Sequence, residues 1–185
     1  MKLTKKHYLF LFAFVVLFQL VFIARRIFLY EEVKKKGRIY KFEIAQRDPA
    51  DMFRGRYLAL NFIPDKVNIP DTLEFERGEK VWLELQTDST GFAKPYRVYK
   101  NKLHNSKNLL QVKVRYVFET GGQKVMEVQY PFERYYLNEF KAGEIEKLLR
   151  LSPVERQKPS FIKVKIWKGK ALIDAIFING KALDK

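Results

Sequence analysis

LLQVKVRYVFETGGQKVMEVQY, running from Leu109 to Tyr130, is the stretch whose reading decides the fold. Two β-prone runs, Leu109–Glu119 and Lys124–Tyr130, flank Thr120-Gly121-Gly122-Gln123, whose glycines can take the positive φ that a tight hairpin needs. The pattern returns downstream, where Phe161–Trp167 and Ala171–Ile178 lie either side of Lys168-Gly169-Lys170. There Ile162, Val164 and Ile166 alternate with Lys163 and Lys165, the period of two expected of a strand with one face buried. Upstream, Tyr40, Phe42 and Ile44 alternate with Lys41 and Glu43, and Val81, Leu83 and Leu85 with Trp82 and Glu84. Tyr57–Ile63 and Tyr96–Tyr99 read as shorter extended pieces, punctuated by Asp48-Pro49, Gly55, Pro64, Pro70 and Gly78. Past the N-terminal region the one helical stripe is Ala142–Leu151, where Ile145, Leu148 and Leu149 share a face until Ser152-Pro153 ends it. With no internal repeat, the expectation is a mainly β chain: one antiparallel β-barrel or β-sandwich of about seven to nine strands with one short capping helix.

Ahead of the strands, YLFLFAFVVLFQLVFIA (Tyr8–Ala24) runs 17 residues without a charge. At ~1.5 Å per residue it is about 25 Å long, a little short of a ~30 Å hydrocarbon core. Arg25 and Arg26 can snorkel across the difference, and Ile27, Phe28, Leu29 and Tyr30 can carry the helix through the interface. Apolar residues occupy every face, with Gln19 the single polar one, so a core helix with a 3.6-residue stripe is the weaker reading. Ile23-Ala24-Arg25-Arg26 is a poor cleavage site, so we expect a retained single-pass transmembrane helix, with residues 1–36 as anchor and basic juxtamembrane segment and 37–185 as the β-rich domain.

Composition sets the outer bounds. Apolar residues make up 47% and aromatics 15%, far from a disordered chain. The absence of cysteine excludes disulfides, thiolate metal sites and cysteine nucleophiles. The net charge is +15; setting aside the eight basic and two acidic residues up to Lys36 leaves 28 against 19, or +9, so much of the excess is juxtamembrane. His7 and His104 are too few and too differently placed for a histidine metal site or a serine triad, and no phosphate-cradling glycine loop stands between a strand and a helix. We expect no cofactor and no metal. Basic strands with interleaved aromatics, KVRYVF and KVKIWKGK, lack an RNA-recognition signature and read as solvated faces, so no nucleic-acid partner is expected.

Two further segments carry the site reading. The first, Arg47 to Phe62, packs Asp48, Asp51, Arg54 and Arg56 around Pro49 and Gly55 before entering a strand with Tyr57 and Leu60. The second, Tyr130-Pro131-Phe132-Glu133-Arg134-Tyr135-Tyr136-Leu137-Asn138-Glu139, is equally dense in aromatic and charged residues. Arg54 or Arg134 paired with Asp48, Asp51 or Glu133 would pin a loop, since a guanidinium and a carboxylate fix geometry well. Alternatively Arg54, Arg56 and Arg134 form a patch for an anionic group or an acidic partner. Tyr57, Leu60, Tyr135 and Tyr136 suit packing.

These segments resemble the GDYXXLXY family of membrane-anchored bacterial proteins, named for the string Gly-Asp-Tyr-x-x-Leu-x-Tyr. Gly55, Tyr57 and Leu60 fit, as do Asp48, Pro49 and Arg54; Arg56 stands where the name has Asp and Phe62 where it has the last Tyr. The second segment is similar to a later Glu-Arg-Tyr-Phe stretch of that family, and the closing strand ending in Asn179-Gly180 is similar too. The resemblance implies a short anchored domain in the bacterial cytoplasmic (inner) membrane, often accompanying polytopic membrane proteins, with no assigned activity. It also implies an extracytoplasmic domain. The positive-inside rule votes the other way, because six basic residues follow the span and three precede it.

An enzyme reading finds little to use. Entry into a strand beside an anchor also resembles signal peptidases, but Asp48–Arg54 contains no serine, and Ser89, Ser106, Ser152 and Ser160 fall in expected loops. A paired-carboxylate hydrolase drawing on Asp48 or Asp51 with Glu133 is the catalytic alternative. The expected function is a noncatalytic membrane-anchored binding or assembly domain, an accessory subunit touching the lipid bilayer and a polytopic partner. Its candidate residues are Asp48, Asp51, Arg54, Gly55, Arg56, Tyr57, Leu60, Glu133, Arg134, Tyr135 and Glu139.

Overall fold

Alternation in the sequence becomes alternation in burial: Tyr40, Phe42 and Ile44 point inward along one strand, Val81, Leu83 and Leu85 along another, and Ile162, Val164 and Ile166 along a third. The computed structural model describes residues 4–44, 53–54, 57–59, 62–63, 65–103, 108–136 and 159–183. The capping helix expected over 142–151 lies outside the described residues. One helix, α1 (Lys5–Lys36), precedes β1 (Arg38–Ile44), β2 (Phe53–Arg54), β3 (Tyr57–Ala59), β4 (Phe62–Ile63), β5 (Lys66–Asn68), β6 (Lys80–Thr87) and β7 (Ala93–Tyr99). Then come β8 (Leu109–Thr120), β9 (Gln123–Gln129), β10 (Arg134–Tyr136), β11 (Phe161–Trp167), β12 (Lys170–Ile178) and β13 (Lys181–Ala182). The chain is mainly β with a single helix among the described residues.

The strands form three antiparallel sheets, ordered β13-β12-β11-β1-β4, β5-β9-β8-β6-β7 and the small β10-β3-β2. The second curls until its edge strands β5 and β7 approach each other, giving a nearly closed, barrel-like sheet. Two isolated bridges, Lys41 to Phe92 and Leu110 to Gly169, stitch it to the first. One continuous apolar core fills the interior, with Phe42, Leu83, Leu110, Met126, Ile162, Ile166 and Ile176 fully buried, each worth about 1.5–3 kcal/mol in area removed from water.

Two irregularities in the β8–β9 hairpin shape the candidate site. The turn sets Gly121 and Gly122 at φ 57° and 71°, which matches the right-handed twist of the flanking strands and fixes the hairpin register. Further along β8 the register shifts between Val114 and Tyr116, so that Arg115 is the extra residue of a β-bulge. The shift turns the strand over. Val112 and Val114 face the core before it and Val117 after it, while Tyr116 faces solvent.

Helix α1 spans about 48 Å at 1.5 Å per residue and is long and apolar enough to cross a membrane. Its apolar window buries nothing against the domain. Only the last turn does: Val33 is buried there, and the Gly37 amide donates to the Val33 carbonyl at 2.9 Å before β1 begins. Gly37 is required by closeness, since a Cβ there would lie 2.9 Å from Lys165 Cβ on β11.

Candidate functional site

The two dense segments meet in space. Strand β3 from the first pairs with β10 from the second, placing Arg134 opposite Ala59, Tyr135 opposite Leu58 and Tyr136 opposite Tyr57, while β2 brings Arg54 opposite Tyr57. Arg54, Tyr57, Arg134 and Tyr135 therefore share one small sheet. Asp48, Asp51, Gly55, Arg56, Leu60 and Glu139 lie outside the described residues.

Beneath it both segments contribute to one aromatic cluster. Phe62, Tyr130 and Phe132 surround Phe42 of β1 with ring centroids 5.9, 5.3 and 5.1 Å away, all edge to face. The three also touch one another, Tyr130 stacking on Phe132 at 5.4 Å. All four rings are buried, and Tyr135 packs against the same core. Burial, with the charge of Asp65 behind it, pushes the Tyr130 hydroxyl far above its ordinary range, so it stays neutral. Phe62, Tyr130, Phe132 and Tyr135, the aromatics of these segments whose side chains are described, are therefore packing, with the first three rings mostly in the arrangements their quadrupoles favour.

The charged half centres on a residue the sequence reading did not single out. Arg115, re-aimed by the bulge, donates to Glu127 at 2.9 Å and to Glu133 at 2.5 Å, and Gln129 donates to the other Glu133 oxygen at 3.1 Å. Among the described residues the guanidinium meeting Glu133 is Arg115's; the side chains of Arg54 and Arg134, to which the expectation looked, are not described. Burial works against its charge, yet Glu127, Glu133 and Asp65 outweigh that and hold it more firmly protonated. Asp65 is raised above the ordinary carboxylate range, first by burial and then by the charge of Glu127. A lone alternating Arg reads as a solvated face; the signal available was Arg115 flanked by Tyr116-Val117-Phe118, a run too apolar to alternate cleanly.

Beside this network lies an open cleft of about 470 Å³ lined by Lys80, Gln111, Val112, Lys113, Gln129, Tyr130, Pro131 and Glu133. Lys80 and Lys113 are directly opposite in the β6–β8 ladder, and Gln129 is opposite Lys113 in the β8–β9 ladder, so the three form a row on the outer face. Neither lysine makes an ion pair among the described residues. Like charges set opposite each other across strands cost stability unless something anionic joins them. Glu133 does not serve, because Arg115 and Gln129 already hold it.

No curated protein and no solved structure matches the chain. The family model described as GDYXXLXY protein matches residues 19–176, from within the apolar helix almost to the end of β12 and including both dense segments. With most of its length covered in this way, the chain belongs to the GDYXXLXY family.

Proposed function

We propose that this protein is a noncatalytic, membrane-anchored assembly domain, an accessory subunit that presents the Lys80–Lys113 cleft to an acidic segment of a polytopic membrane protein. The observation that carries this reading is the cross-strand lysine pair, which has no counter-charge among the described residues and lies beside the second segment. In this reading α1 spans the membrane through Tyr8–Ala24, and Arg115 with its carboxylates shapes the cleft wall without entering chemistry.

The test is copurification from the native membrane in mild detergent. The same polytopic protein should accompany the chain reproducibly, and Lys80→Glu should cut its recovery about tenfold. The substitution turns a repulsive cross-strand pair into an attractive one, so the domain's own melting temperature should hold or rise slightly. Reproducible recovery of the wild-type chain alone, as a monomer, would sink the assembly reading. A drop in melting temperature in Lys80→Glu would instead make the pair structural.

In the same reading the domain lies on the outer side of the bacterial cytoplasmic membrane, following the family's general arrangement against the charge bias of the flanks. Protease added to intact spheroplasts should then digest the domain and leave a protected α1 fragment. Digestion seen only after lysis would put the domain inside, as Arg25, Arg26, Lys34, Lys35, Lys36 and Arg38 favour.

A further inference from the structure

The end of α1 packs on the β11–β12 hairpin, which brings that hairpin's turn down beside the helix. Lys170 Nζ lies 6.0 Å from the ring centroid of Tyr30. Tyr30 is six residues past Ala24, or about 9 Å along the axis from the end of the uncharged run. The uncharged run is about 5 Å shorter than a ~30 Å core, so centring it leaves the hydrocarbon edge about 2–3 Å past Ala24 and puts Tyr30 about 6–7 Å beyond that edge, within the ~5–8 Å interfacial layer, which sets this turn level with lipid headgroups.

The turn is held rigidly at that level. Lys168 and Gly169 take φ 48° and 85°, and the Gly169 carbonyl accepts from the Gln111 amide at 3.1 Å. A Cβ on Gly169 would lie 2.2 Å from Cζ3 of Trp82, so the backbone rests flat on that ring. Lys168 Nζ is 5.8 Å from the Trp167 ring, putting an amphipathic aromatic and a cation side by side as membrane interfaces favour. The nearby acids have closer partners: Glu31 pairs with Lys35 at 3.8 Å, and Glu32 pairs with Lys36 at 3.1 Å and feels the charge of Lys168 only as a lesser neighbour. Lys34, Lys168 and Lys170, with Arg25 and Arg26 below them, make no ion pair among the described residues.

We propose that the Lys168-Gly169-Lys170 turn, together with Lys34, is a headgroup-binding surface that takes the anionic phosphates of the leaflet on the domain's side and sets the tilt of the domain on the bilayer. This rests on α1 spanning the membrane. Each lysine near an anionic surface contributes about fivefold to binding, so two on a rigid turn should slow its opening by about tenfold or more.

The experiment is hydrogen exchange on the full chain reconstituted into vesicles of neutral phosphatidylcholine and into vesicles with about one-third phosphatidylglycerol. Amides 167–171 should exchange about tenfold more slowly in the anionic vesicles, and the difference should vanish in about 0.5 M salt and in Lys168→Gln/Lys170→Gln. Amides 9–24 should be protected in both. If those are protected while the turn exchanges equally in the two lipids, or keeps its protection in the double variant, the headgroup surface is overturned and the span stands. Free exchange of 9–24 in both vesicles would remove the span and this inference with it. Protection of the turn that is indifferent to lipid charge and salt would assign it to a protein contact and also overturn the proposal.

Discussion

Replacing Phe42 with alanine is expected to lower the stability of the domain by about 3–5 kcal/mol, among the largest effects any single side chain here should give. Phe42 is fully buried and makes edge-to-face contact with Phe62, Tyr130 and Phe132 at once. Truncation removes its own apolar area and leaves a void among three large, rigid rings that cannot collapse into it cheaply. At about 2–4 °C per kcal/mol for a chain of this size, the melting temperature should fall by about 10 °C. Ile39, on the opposite face of the same strand and 51% exposed, supplies the control: Ile39→Ala should change stability by less than about 1 kcal/mol. Comparable losses at the two positions would mean that β1 matters as backbone and that the aromatic cluster is incidental.

That cluster also includes one position of the family's string. Phe62 occupies the place of the last Tyr in the family's string, and it is buried against Phe42 and Phe132. Tyr130 and Phe132, from a segment about seventy residues away, complete the cluster. Phe62 thus ties two distant pieces of chain together.

The long strands are legible because each repeats a buried face several times: Val81, Leu83 and Leu85, or Ile162, Val164 and Ile166. Seven described strands run seven residues or more, and both glycine turns fall where the sequence expects them. The six strands of two or three residues offer at most one or two inward side chains, as Val67 does alone in β5, and no period can be read from that. The bulge at Arg115 is hidden for a different reason. An uninterrupted period of two along LLQVKVRYVFE carries Val112 and Val114 on to Tyr116 and Phe118, yet those two are 49% and 36% exposed. One extra residue inverts the faces, and only pairing with β9 reveals it. The ion-pair partner of Glu133 is illegible on the same account, since Arg115 reaches it across the hairpin from the inverted stretch.

Arg115→Met should therefore be the second large effect, lowering stability by about 2 kcal/mol at neutral pH, with the figure kept modest because the partners retain some solvent. Methionine replaces the stem but not the charge, leaving Glu127 and Glu133 without the guanidinium that pairs with both and Asp65 with only the charge of Lys66 to offset Glu127. Asp65 gives the deficit a pH dependence of definite sign. Its folded-state pKa is already raised by burial and Glu127, and the charge of Arg115 is among the influences that hold it down. A raised acid contributes stability that is present below its unfolded value and lost as pH rises through its folded value, so removing Arg115 enlarges that loss at pH 7. The gap between Arg115→Met and wild type should narrow as pH falls from 7 through the upper carboxylate range, read from unfolding midpoints at matched denaturant. Adding Glu133→Gln to Arg115→Met should recover part of the loss at pH 7, because it removes one of the crowded charges while keeping the bond to Gln129. A deficit that is flat with pH and unmoved by Glu133→Gln would mean that Arg115 stabilises the bulge through its stem alone. Under the network reading, the cleft wall beside Lys80 and Lys113 keeps its shape because one guanidinium at a strand irregularity satisfies two carboxylates, leaving the lysines as the charges still available to a partner.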